Sequence, residues 1–302
     1  MSGLLIAGRL TPTNVALRDA CGRVGIRSRL LPPELAHQRA RPGEIVLGRV
    51  DVRASLDGPE AGLDALRELE DAGSLLLNRA DALLRAHDKL ETARSLAAVG
   101  LPHPRTAHLR PGEEPKLEFE GPYVVKPRFG SWGMGVARYA SLRGLRRALS
   151  KLEGRSWFHE QGVLVQELVP NGGIDVRLVV AGGTVVGAVS RVAAPDEWRT
   201  NVALGGRRER VKPALEARAL ALAAAQAVGA DLVGVDLLPT ADGYVALELN
   251  GCVDFTDEYS LGTRNVFDEA VAGLVFPGIA ELAERVASAA STATLGLQPA
   301  GS

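Results

Sequence analysis

The sequence predicts a mixed fold, α/β followed by α+β, in three successive parts. Apolar runs alternate with helical stretches near the amino terminus, a glycine-rich loop separates two extended stretches in the middle, and two apolar strands meet at a tight turn near residue 240. We expect an N-terminal α/β domain with connecting helices at 1–100, a central domain with a glycine-rich flap at 101–170, a C-terminal antiparallel-sheet domain at 171–291, and a disordered tail at 292–302.

The first part is predicted to contain a parallel sheet. Apolar runs at Leu4 to Ala7 and Ile26 to Leu31 flank a helix that begins near Thr11 and ends at Gly25. A strand, a helix and a second strand in this order form a parallel pair. The pattern continues with strands at 44–50 and 74–78, a helix at 62–72 between them, and one further helical stretch at 79–99.

The two later parts follow a proline-bearing linker at 101–105. In the central part the pattern predicts strands at 123–126, 136–139 and 163–169 and a helix at 142–152. In the last part it predicts strands at 176–180, 185–192, 232–238 and 244–250, a helix at 214–228, and two terminal helices at 266–275 and 279–290.

The composition limits the classes of function. The net charge of −1 gives no general attraction to nucleic acid or anionic lipid, and the basic run at 143–155 is typical of a solvated helix face. Cys21 and Cys252 have no CxxC spacing, which fits a reducing cytoplasm. We expect no signal peptide, because the amino terminus has no basic leader, and no apolar run reaches the roughly 20 residues that span a bilayer. We therefore expect a cytoplasmic protein without nucleic-acid or membrane partners, and the oligomeric state stays open.

A pair of opposed carboxylates is predicted near the carboxyl end. If residues 241–243 form the hairpin loop, Thr240 lies opposite Tyr244 and Asp236 lies opposite Glu248. Asn250 then shares a face with Glu248, because side chains alternate along a strand. Two carboxylates and an amide oxygen suit Mg²⁺ or Mn²⁺. The alternative is that each carboxylate pairs with an arginine.

A glycine-rich loop follows a lysine in the segment from Val124 to Val136. Lys126 ends a β-branched run, and its ammonium can reach a phosphate from a rigid strand. Gly130, Gly133 and Gly135 let the backbone approach an anionic ligand closely. Since the next residues are extended, the loop is predicted to be a flap between strands, and the alternative is a mobile hairpin without a ligand.

Two further segments carry polar groups at the ends of strands. Gln166-Glu167-Leu168 and Asp175 can bind an adenine edge and ribose hydroxyls, and ordinary sheet-edge polarity is the alternative. Arg199 and Asn201 lie in an irregular loop, where the planar guanidinium matches a carboxylate or a γ-phosphate. An exposed arginine without a ligand is the alternative there.

Taken together, these segments resemble the RimK-type branch of the ATP-grasp ligases, which add amino acids such as glutamate to carboxyl groups. The resemblance spans about residues 4 to 275. It rests on the order of AHDKL, GLPHPRT, VVKPRFGSWGMGV, VQEL, GIDVRLVVAGG, RTN before GG, and GVDLL before LELN. It implies a three-part ATP-grasp fold, ATP and Mg²⁺ as cofactors, and an ADP-forming ligase that makes an amide through an acyl phosphate.

The resemblance also implies roles for individual residues. The nucleotide-binding residues would be Lys89, Lys126, Gly130, Ser131, Gly133, Gly135, Glu167, Leu168 and Asp175, with the last holding ribose. Arg199 and Asn201 would be catalytic and face the phosphates and the reacting carboxylate. The metal ligands would be Asp236, Glu248 and Asn250, which agrees with the hairpin argument.

The chain departs from the RimK pattern where the family contacts its substrates. Val-Ala-Leu-Gly-Gly follows Asn201 without a His-Arg pair, and Gly-Cys-Val-Asp-Phe follows Asn250 in place of a Ser-Pro-Gly turn. The resemblance implies that the partners are ATP, an amino acid and a carboxylate acceptor, and the departures leave open whether the acceptor is a small molecule, a peptide or a carrier-protein C-terminus. Ligases of lysine and arginine biosynthesis are near relatives by this reading. Dipeptide or glutathione-type ligases and a non-catalytic nucleotide-binding regulator are the alternatives.

Overall fold

A computed structural model describes residues 3–41 and 44–295. Its first sheet is parallel throughout, with strand order β2-β1-β3-β4, as the sequence predicts. A short helix over 33–39 was not predicted, because it begins at the second of two consecutive prolines and its seven residues carry little periodicity. The elements are β1 (Leu4–Gly8), α1 (Pro12–Arg23), β2 (Ser28–Leu31), α2 (Pro33–Arg39), β3 (Ile45–Arg49), α3 (Leu63–Asp71) and β4 (Leu75–Leu77).

The single helical stretch expected at 79–99 is wrong, because the chain forms α4 (Ala80–His87) and α5 (Lys89–Ala98) with Asp88 between them. Asp88 has an extended backbone, and its carboxylate accepts hydrogen bonds from the backbone N–H groups of Leu90 and Glu91. Aspartate is a favoured N-cap residue because its short side chain satisfies these free donors. The cap places Lys89 at the start of a helix that packs mainly against the third sheet and its helix and also contacts the second sheet.

The second sheet is antiparallel, with strand order β5-β8-β6-β7. The predicted strands and the helix at 142–152 are present, whereas β5 and α7 were missed because both are short. The elements are β5 (Thr106–Leu109), β6 (Tyr123–Pro127), β7 (Ala137–Tyr139), α6 (Leu142–Leu152), α7 (Ser156–Gln161) and β8 (Val163–Glu167). The glycine-rich loop lies between β6 and β7, as predicted for a flap.

The third sheet is also antiparallel, with strand order β11-β10-β9-β12-β13. The alanine-rich helix α8 packs on it through its small side chains. Only β11 was not predicted, because its sequence Arg-Arg-Glu-Arg has no apolar residue. The elements are β9 (Ile174–Ala181), β10 (Thr184–Val192), β11 (Arg207–Arg210), α8 (Leu215–Val228), β12 (Leu232–Thr240) and β13 (Gly243–Asn250).

The register of the β12–β13 hairpin differs from the prediction at the turn and agrees with it at the candidate metal ligands. Thr240 pairs with Gly243 instead of Tyr244, so the loop has two residues and not three. A bulge then leaves one extra residue on β13, between the partners of Asp236 and Leu237, and Asp236 lies opposite Glu248. The predicted loop was one residue too long and the predicted strand lacked the bulge, which adds one residue, so the two errors cancel.

One helix, α9 (Val266–Leu295), replaces the two terminal helices that were expected. Pro277 lies inside it, although proline removes a helical hydrogen bond. The expected disordered tail is helical from 292 as far as Leu295, and 296–302 lie outside the described residues. None of the helices described is both long and apolar enough to cross a lipid bilayer.

A buried asparagine links the first sheet to the third. Asn78 follows β4 with no exposed surface, and its amide donates to the carbonyl oxygens of Leu232 and Gly251 at 2.6 and 3.2 Å. Its side-chain oxygen accepts from the backbone N–H groups of Asp231 and Leu232 at 2.7 and 2.9 Å. These four hydrogen bonds fix the ends of the first sheet against the start of β12 and the end of β13.

Candidate functional site

A first cavity lies between the second and third sheets, under the flap. Strand β6 contributes Val124 and Lys126 to its wall, and the hairpin contributes Leu238, Leu247 and Glu248. Of the residues predicted to bind nucleotide or to act in catalysis, the cavity wall includes Lys89, Lys126, Gly130, Ser131, Gly133, Glu167, Leu168, Asp175, Arg199 and Asn201. The lining therefore has an apolar part, to which Val124, Leu238 and Leu247 contribute, and a charged part, which contains most of the charged residues selected from the sequence.

Lys126 provides a buried cation at the inner wall. It is 4% exposed, and its ammonium makes no hydrogen bond or ion pair within the described residues. Burial lowers the pKa of Lys126 to about 8, although the nearby Glu248 carboxylate opposes that shift. A desolvated ammonium without a partner favours an anionic ligand strongly, since the anion both neutralises it and satisfies its donors.

The flap is anchored at its start to the junction of α4 and α5. The guanidinium of Arg128 donates to both oxygens of Asp88, with Nε at 2.7 and 2.8 Å. The backbone N–H of Lys89 donates to the Arg128 carbonyl at 3.1 Å, and its ammonium donates to the Gly130 carbonyl. Asp88 therefore caps a helix and positions the flap, so that Lys89 reaches the cavity.

Arg199 holds the far side of the flap. Its Nη1 donates to the carbonyl oxygens of Gly133 and Val136 at 3.1 Å each, and its Nε and Nη2 donate to Glu197 at 3.0 and 2.7 Å. Arg199 also fixes the pKa of Glu197 at about 2 by hydrogen bonding to its carboxylate. Since these bonds occupy four of the five guanidinium N–H groups, the expected clamp on a substrate carboxylate is not present in this arrangement, and Arg199 instead latches the flap.

Asn201 and Gly133 meet at the same edge of the flap. Gly133 has φ of +75°, and a Cβ there would lie 2.7 Å from the Asn201 side-chain oxygen. Glycine is therefore required both by the backbone conformation and by the close approach. The Asn201 amide makes no hydrogen bond within the described residues and faces the cavity.

Asp175 and Asp236 belong to a buried network with two arginines. Arg177 donates to both oxygens of Asp236 at 2.6 and 2.7 Å, and Arg191 bridges Asp236 at 2.7 Å to Asp175 at 2.7 and 2.5 Å. Thr200 also donates to Asp175. Burial opposes ionisation of Asp236, but the two guanidinium groups outweigh it and lower its pKa.

This network differs from two of the expectations. Asp175 is fully buried and its oxygens are bound to Arg191 and Thr200, so its arrangement does not suit ribose. Asp236 is fully buried between two arginines and lines neither cavity, so it is not arranged as a metal ligand. The sequence analysis considered arginine pairing as the alternative for the opposed carboxylates, and that alternative holds for Asp236.

Glu248 and Asn250 do fit an oxygen-bound cation. The Glu248 carboxylate has no hydrogen bond or ion pair to the described part of the chain, and the buried Asn250 amide nitrogen has no partner. An amide that is not held can present its oxygen, and Mg²⁺ commonly takes one or two carboxylates together with substrate phosphates. No cluster of three acidic, His or Cys side chains suited to a metal occurs at 3–41 or 44–295. The donor set therefore fits a cation completed by a ligand's own oxygens.

Glu167 and Leu168, which were predicted to bind adenine, lie at the end of β8 in the wall of the first cavity. The Glu167 carboxylate accepts from the backbone and side chain of Arg105 at 2.9 and 2.7 Å. The Leu168 N–H donates to the Pro122 carbonyl at 2.9 Å, and its side chain faces the cavity. These contacts hold the strand end in place, and the Glu167 carboxylate is paired with Arg105.

A second cavity adjoins the first and is larger, about 230 Å³ against about 100 Å³. Ser131, Arg191, Asn201 and Glu248 line both cavities. The second is polar and is formed largely by loops from separate parts of the chain. Its other lining residues include Asp51, His87, Trp132, Arg177, Arg208, Asn250, Cys252, Asp254 and Tyr259.

Several of these functional residues were not found from the sequence. Asp88 had a detectable signal, because aspartate before Lys-Leu-Glu is a helix N-cap pattern. Glu197 had a weak signal, since it lies two residues before Arg199 in an irregular loop. Asp51, Arg208 and Asp254 had none, because each lies in a loop or edge strand and meets the others only in the folded chain.

Comparison with known proteins identifies a family to which the chain is similar. The RimK-like ATP-grasp domain family matches residues 86–265. A probable alpha-L-glutamate ligase from Serratia proteamaculans is 36% identical over 194 residues, which is 63% of each chain, so the match spans somewhat less than two thirds of that relative. A probable alpha-L-glutamate ligase from Azotobacter vinelandii is 30% identical over 257 residues, 82% of this chain and 81% of the relative.

Solved structures show the same fold at lower identity. A RimK domain ATP-grasp protein from Sphaerobacter thermophilus superposes with a TM-score of 0.63 at 21% identity, covering 91% of this chain and 100% of that one. D-alanine–D-alanine ligase from Bacillus anthracis, complexed with ATP, gives 0.65 at 15% identity, covering 94% and 99%. The fold and the family match together establish that this chain belongs to the RimK-like ATP-grasp family.

Proposed function

We propose that the protein is an ATP- and Mg²⁺-dependent carboxylate–amine ligase, which joins glutamate or another amino acid to a carboxylate acceptor. ATP would occupy the first cavity, with its base against the apolar wall and its phosphates near Lys126 and Glu248. Several relatives are named probable alpha-L-glutamate ligases, and one from Methanosarcina acetivorans is named tetrahydromethanopterin:alpha-L-glutamate ligase. These names support an amino-acid substrate.

The observation that carries the proposal is the junction of the two cavities. Ser131, Arg191, Asn201 and Glu248 line both, so a phosphate at the inner end of the first cavity would meet a substrate held in the second. A phosphoryl transfer to an acceptor needs this shared space, because catalysis of that reaction is mostly positioning and charge stabilisation. A site that only binds nucleotide needs no second chamber.

The proposed reaction has two steps. A substrate carboxylate oxygen attacks the γ-phosphorus of ATP and ADP leaves, which gives an acyl phosphate. The amine nitrogen of the second substrate then attacks the acyl carbon, phosphate leaves, and the amine loses a proton. Lys126 binds phosphate oxygens, and the flap held by Arg199 excludes water from the acyl phosphate. Mg²⁺ held by Glu248 and Asn250 would supply charge neutralisation at the phosphates.

A nucleotide-binding regulator without turnover is the second candidate. One observation favours it: Asp236, expected as a metal ligand, is bound by Arg177 and Arg191. A protein that lacked this ligand would hold the cation with fewer charges and would bind ATP more readily than it used it.

The deciding experiment measures ADP release. The protein is incubated with ATP, MgCl₂ and pooled amino acids, with and without peptide and small carboxylate acceptors. The masses of the products are then measured by mass spectrometry. The proposal predicts ADP release that depends on both an amine and a carboxylate, together with a product of their combined mass less one water. ATP binding without ADP release under every combination would favour the regulator.

A further inference from the structure

The charged groups of the second cavity are not balanced. Arg177 and Arg191 are neutralised by Asp236 and Asp175, as described above. Asp51 accepts only a backbone hydrogen bond from Val52, and Asp254 has no hydrogen bond or ion pair within the described residues. Two lining carboxylates are therefore without a cationic partner, in addition to Glu248 at the junction with the first cavity.

Asp51 and Asp254 lie on the same side of the second cavity. Both line the cavity together with Cys252, whose thiol pKa is raised to about 12 by burial and, to a smaller extent, by these two carboxylates nearby. The other charged groups there are Arg49, which donates to Asn14 and to the Val253 carbonyl, and Glu60, which pairs with Arg9. Neither Arg49 nor Glu60 lines the cavity. An ammonium group placed at this side would meet two carboxylates directly.

Arg208 offers the complementary group. It lies on the edge strand β11, stacks over the Tyr259 ring at 5.9 Å, and donates from Nη1 to Glu258 at 3.3 Å. Its Nε is buried without a hydrogen-bond partner in the described part of the chain. That buried nitrogen has no surface that a ligand could reach, but Nη2 also makes no hydrogen bond to the described residues and is not buried, and a carboxylate is the ligand that the planar guanidinium fits.

From this arrangement we infer that the second cavity binds an α-amino acid without a side-chain carboxylate, with its ammonium at Asp51 and Asp254 and its carboxylate at Arg208. This inference rests on the proposed function and departs from it in one respect, because it excludes glutamate as the preferred occupant. Glutamate would bring a second carboxylate to a surface that already has two unpaired ones, and like charges repel at short range. An amino acid with a basic side chain should bind most tightly, because its second positive charge is attracted to these carboxylates.

Calorimetric titration of the whole protein tests the inference with three probes: L-lysine, L-glutamate and cadaverine, which is lysine without its carboxylate. Lysine should bind at least about tenfold more tightly than glutamate, since one charged hydrogen-bonded contact is worth about that factor. Asp254→Asn should reduce this preference to about threefold or less, because one of two carboxylates remains. Asp242→Asn, at the exposed hairpin loop, is the matched control and should leave it unchanged.

The carboxylate contact has its own variant. Arg208→Gln should weaken lysine binding about tenfold and leave cadaverine binding unchanged, because only lysine carries the group that Arg208 binds. Arg207→Gln, in the neighbouring exposed residue paired with Glu209, is the control and should change neither. Equal losses for lysine and cadaverine would overturn the role of Arg208.

The outcomes separate this inference from the proposed function. Glutamate binding as tightly as lysine overturns the inference, and ADP release with glutamate would then still support a ligase. Lysine preference without ADP release under any condition supports the inference about the cavity and overturns the proposed catalysis. A loss of lysine preference in Asp242→Asn as well as Asp254→Asn would show a general charge effect and overturn the assignment to Asp254.

Discussion

The two cavities differ in how they are built, and this difference explains how well each was anticipated. The first is lined mainly by strand residues and the flap between two strands, and its cation Lys126 and carboxylate Glu248 lie where the strand pattern placed them. The second is lined by loops from the first sheet, the flap, β11 and the segment after β13. Strands fix side-chain direction by alternation, whereas loops have no such rule.

The difference also has a functional meaning. The chain departs from the RimK pattern after Asn201 and after Asn250, and both segments contribute to the second cavity. The first cavity is lined by all the residues that the family resemblance implies for nucleotide except Gly135, although Glu167 and Asp175 are bound to arginines there. We therefore expect changes at the shared junction to affect both cavities, and changes elsewhere to affect one of them.

The largest effect is expected for Glu248→Gln, because Glu248 lines both cavities. Removing the charge while keeping the shape should lower Mg²⁺-dependent ADP release by on the order of 10³-fold with the fold unchanged. Circular dichroism and steady-state ADP release measure the two properties, and Asp242→Asn serves as the control. Activity within a few-fold of the wild type would remove Glu248 from the proposed metal site.

A change at Asn78 should lower the stability of the protein without changing ATP binding in the first cavity. Asn78→Ala removes four hydrogen bonds between a buried side chain and the backbone, so we expect a loss of about 2–3 kcal/mol in the free energy of unfolding. Asn78 lies outside the first cavity, which is bounded by the second and third sheets. Urea unfolding should thus show the loss while ATP affinity, measured well below the transition, stays within about threefold. A large loss of ATP affinity would contradict this separation.

Lys126 gives the first cavity a pH dependence near pH 8. Its pKa of about 8 lies below the ordinary value, so the ammonium that phosphate requires is lost from the free protein as pH rises through 8. ATP affinity should then fall by about tenfold for each pH unit above 8, until the pKa of the bound state is reached.

The matched variant is Lys126→Arg, whose side chain stays charged and whose ATP affinity should be flat between pH 7 and about 9.5. Equilibrium ATP binding at fixed ionic strength measures both proteins. An equally flat wild-type profile would mean that the free ammonium is not the group that binds phosphate.

The smallest effects are expected at the latch. Glu197→Gln and Arg199→Lys should each speed hydrogen exchange at 130–136 and raise the KM for ATP by about three- to tenfold, because each weakens the hold of Arg199 on the flap. A carboxylate clamp predicts a different result: a large loss of turnover in Arg199→Lys and none in Glu197→Gln. Exchange that is unchanged in both variants would contradict the latch.

The latch also has a pH limit that follows from Glu197. Its pKa is lowered to about 2 in the folded protein, so the ion pair is complete above the ordinary carboxyl range and is lost only as pH falls toward 2. Across neutral pH the latch is therefore constant, and the pH dependence of ATP affinity near 8 belongs to Lys126.

Much of the fold was predictable because its signals are local. The parallel order of the first sheet follows from the alternation of strands and helices, and α6 begins and ends at the residues that its periodicity predicts. Short elements such as β5, α7 and β11 were missed, because a few residues hold too little pattern. Asp88 divided a predicted helix because a favourable cap can outweigh a continuous helical pattern.

By itself the sequence determined that the chain forms an ATP-grasp fold, in which a strand carries Lys126, a glycine-rich flap follows that strand, and Asp236 lies opposite Glu248. These depend on residue order and on the period of two along a strand. Only the tertiary structure decided which charges meet. Arg177 and Arg191 pair with Asp236, Glu197 pairs with Arg199, and Asp51 and Asp254, which are 203 positions apart in the sequence, line the same cavity. The reason is physical: a charge pairs with its nearest opposite charge in space, and distance in space between loops is not encoded by spacing in sequence.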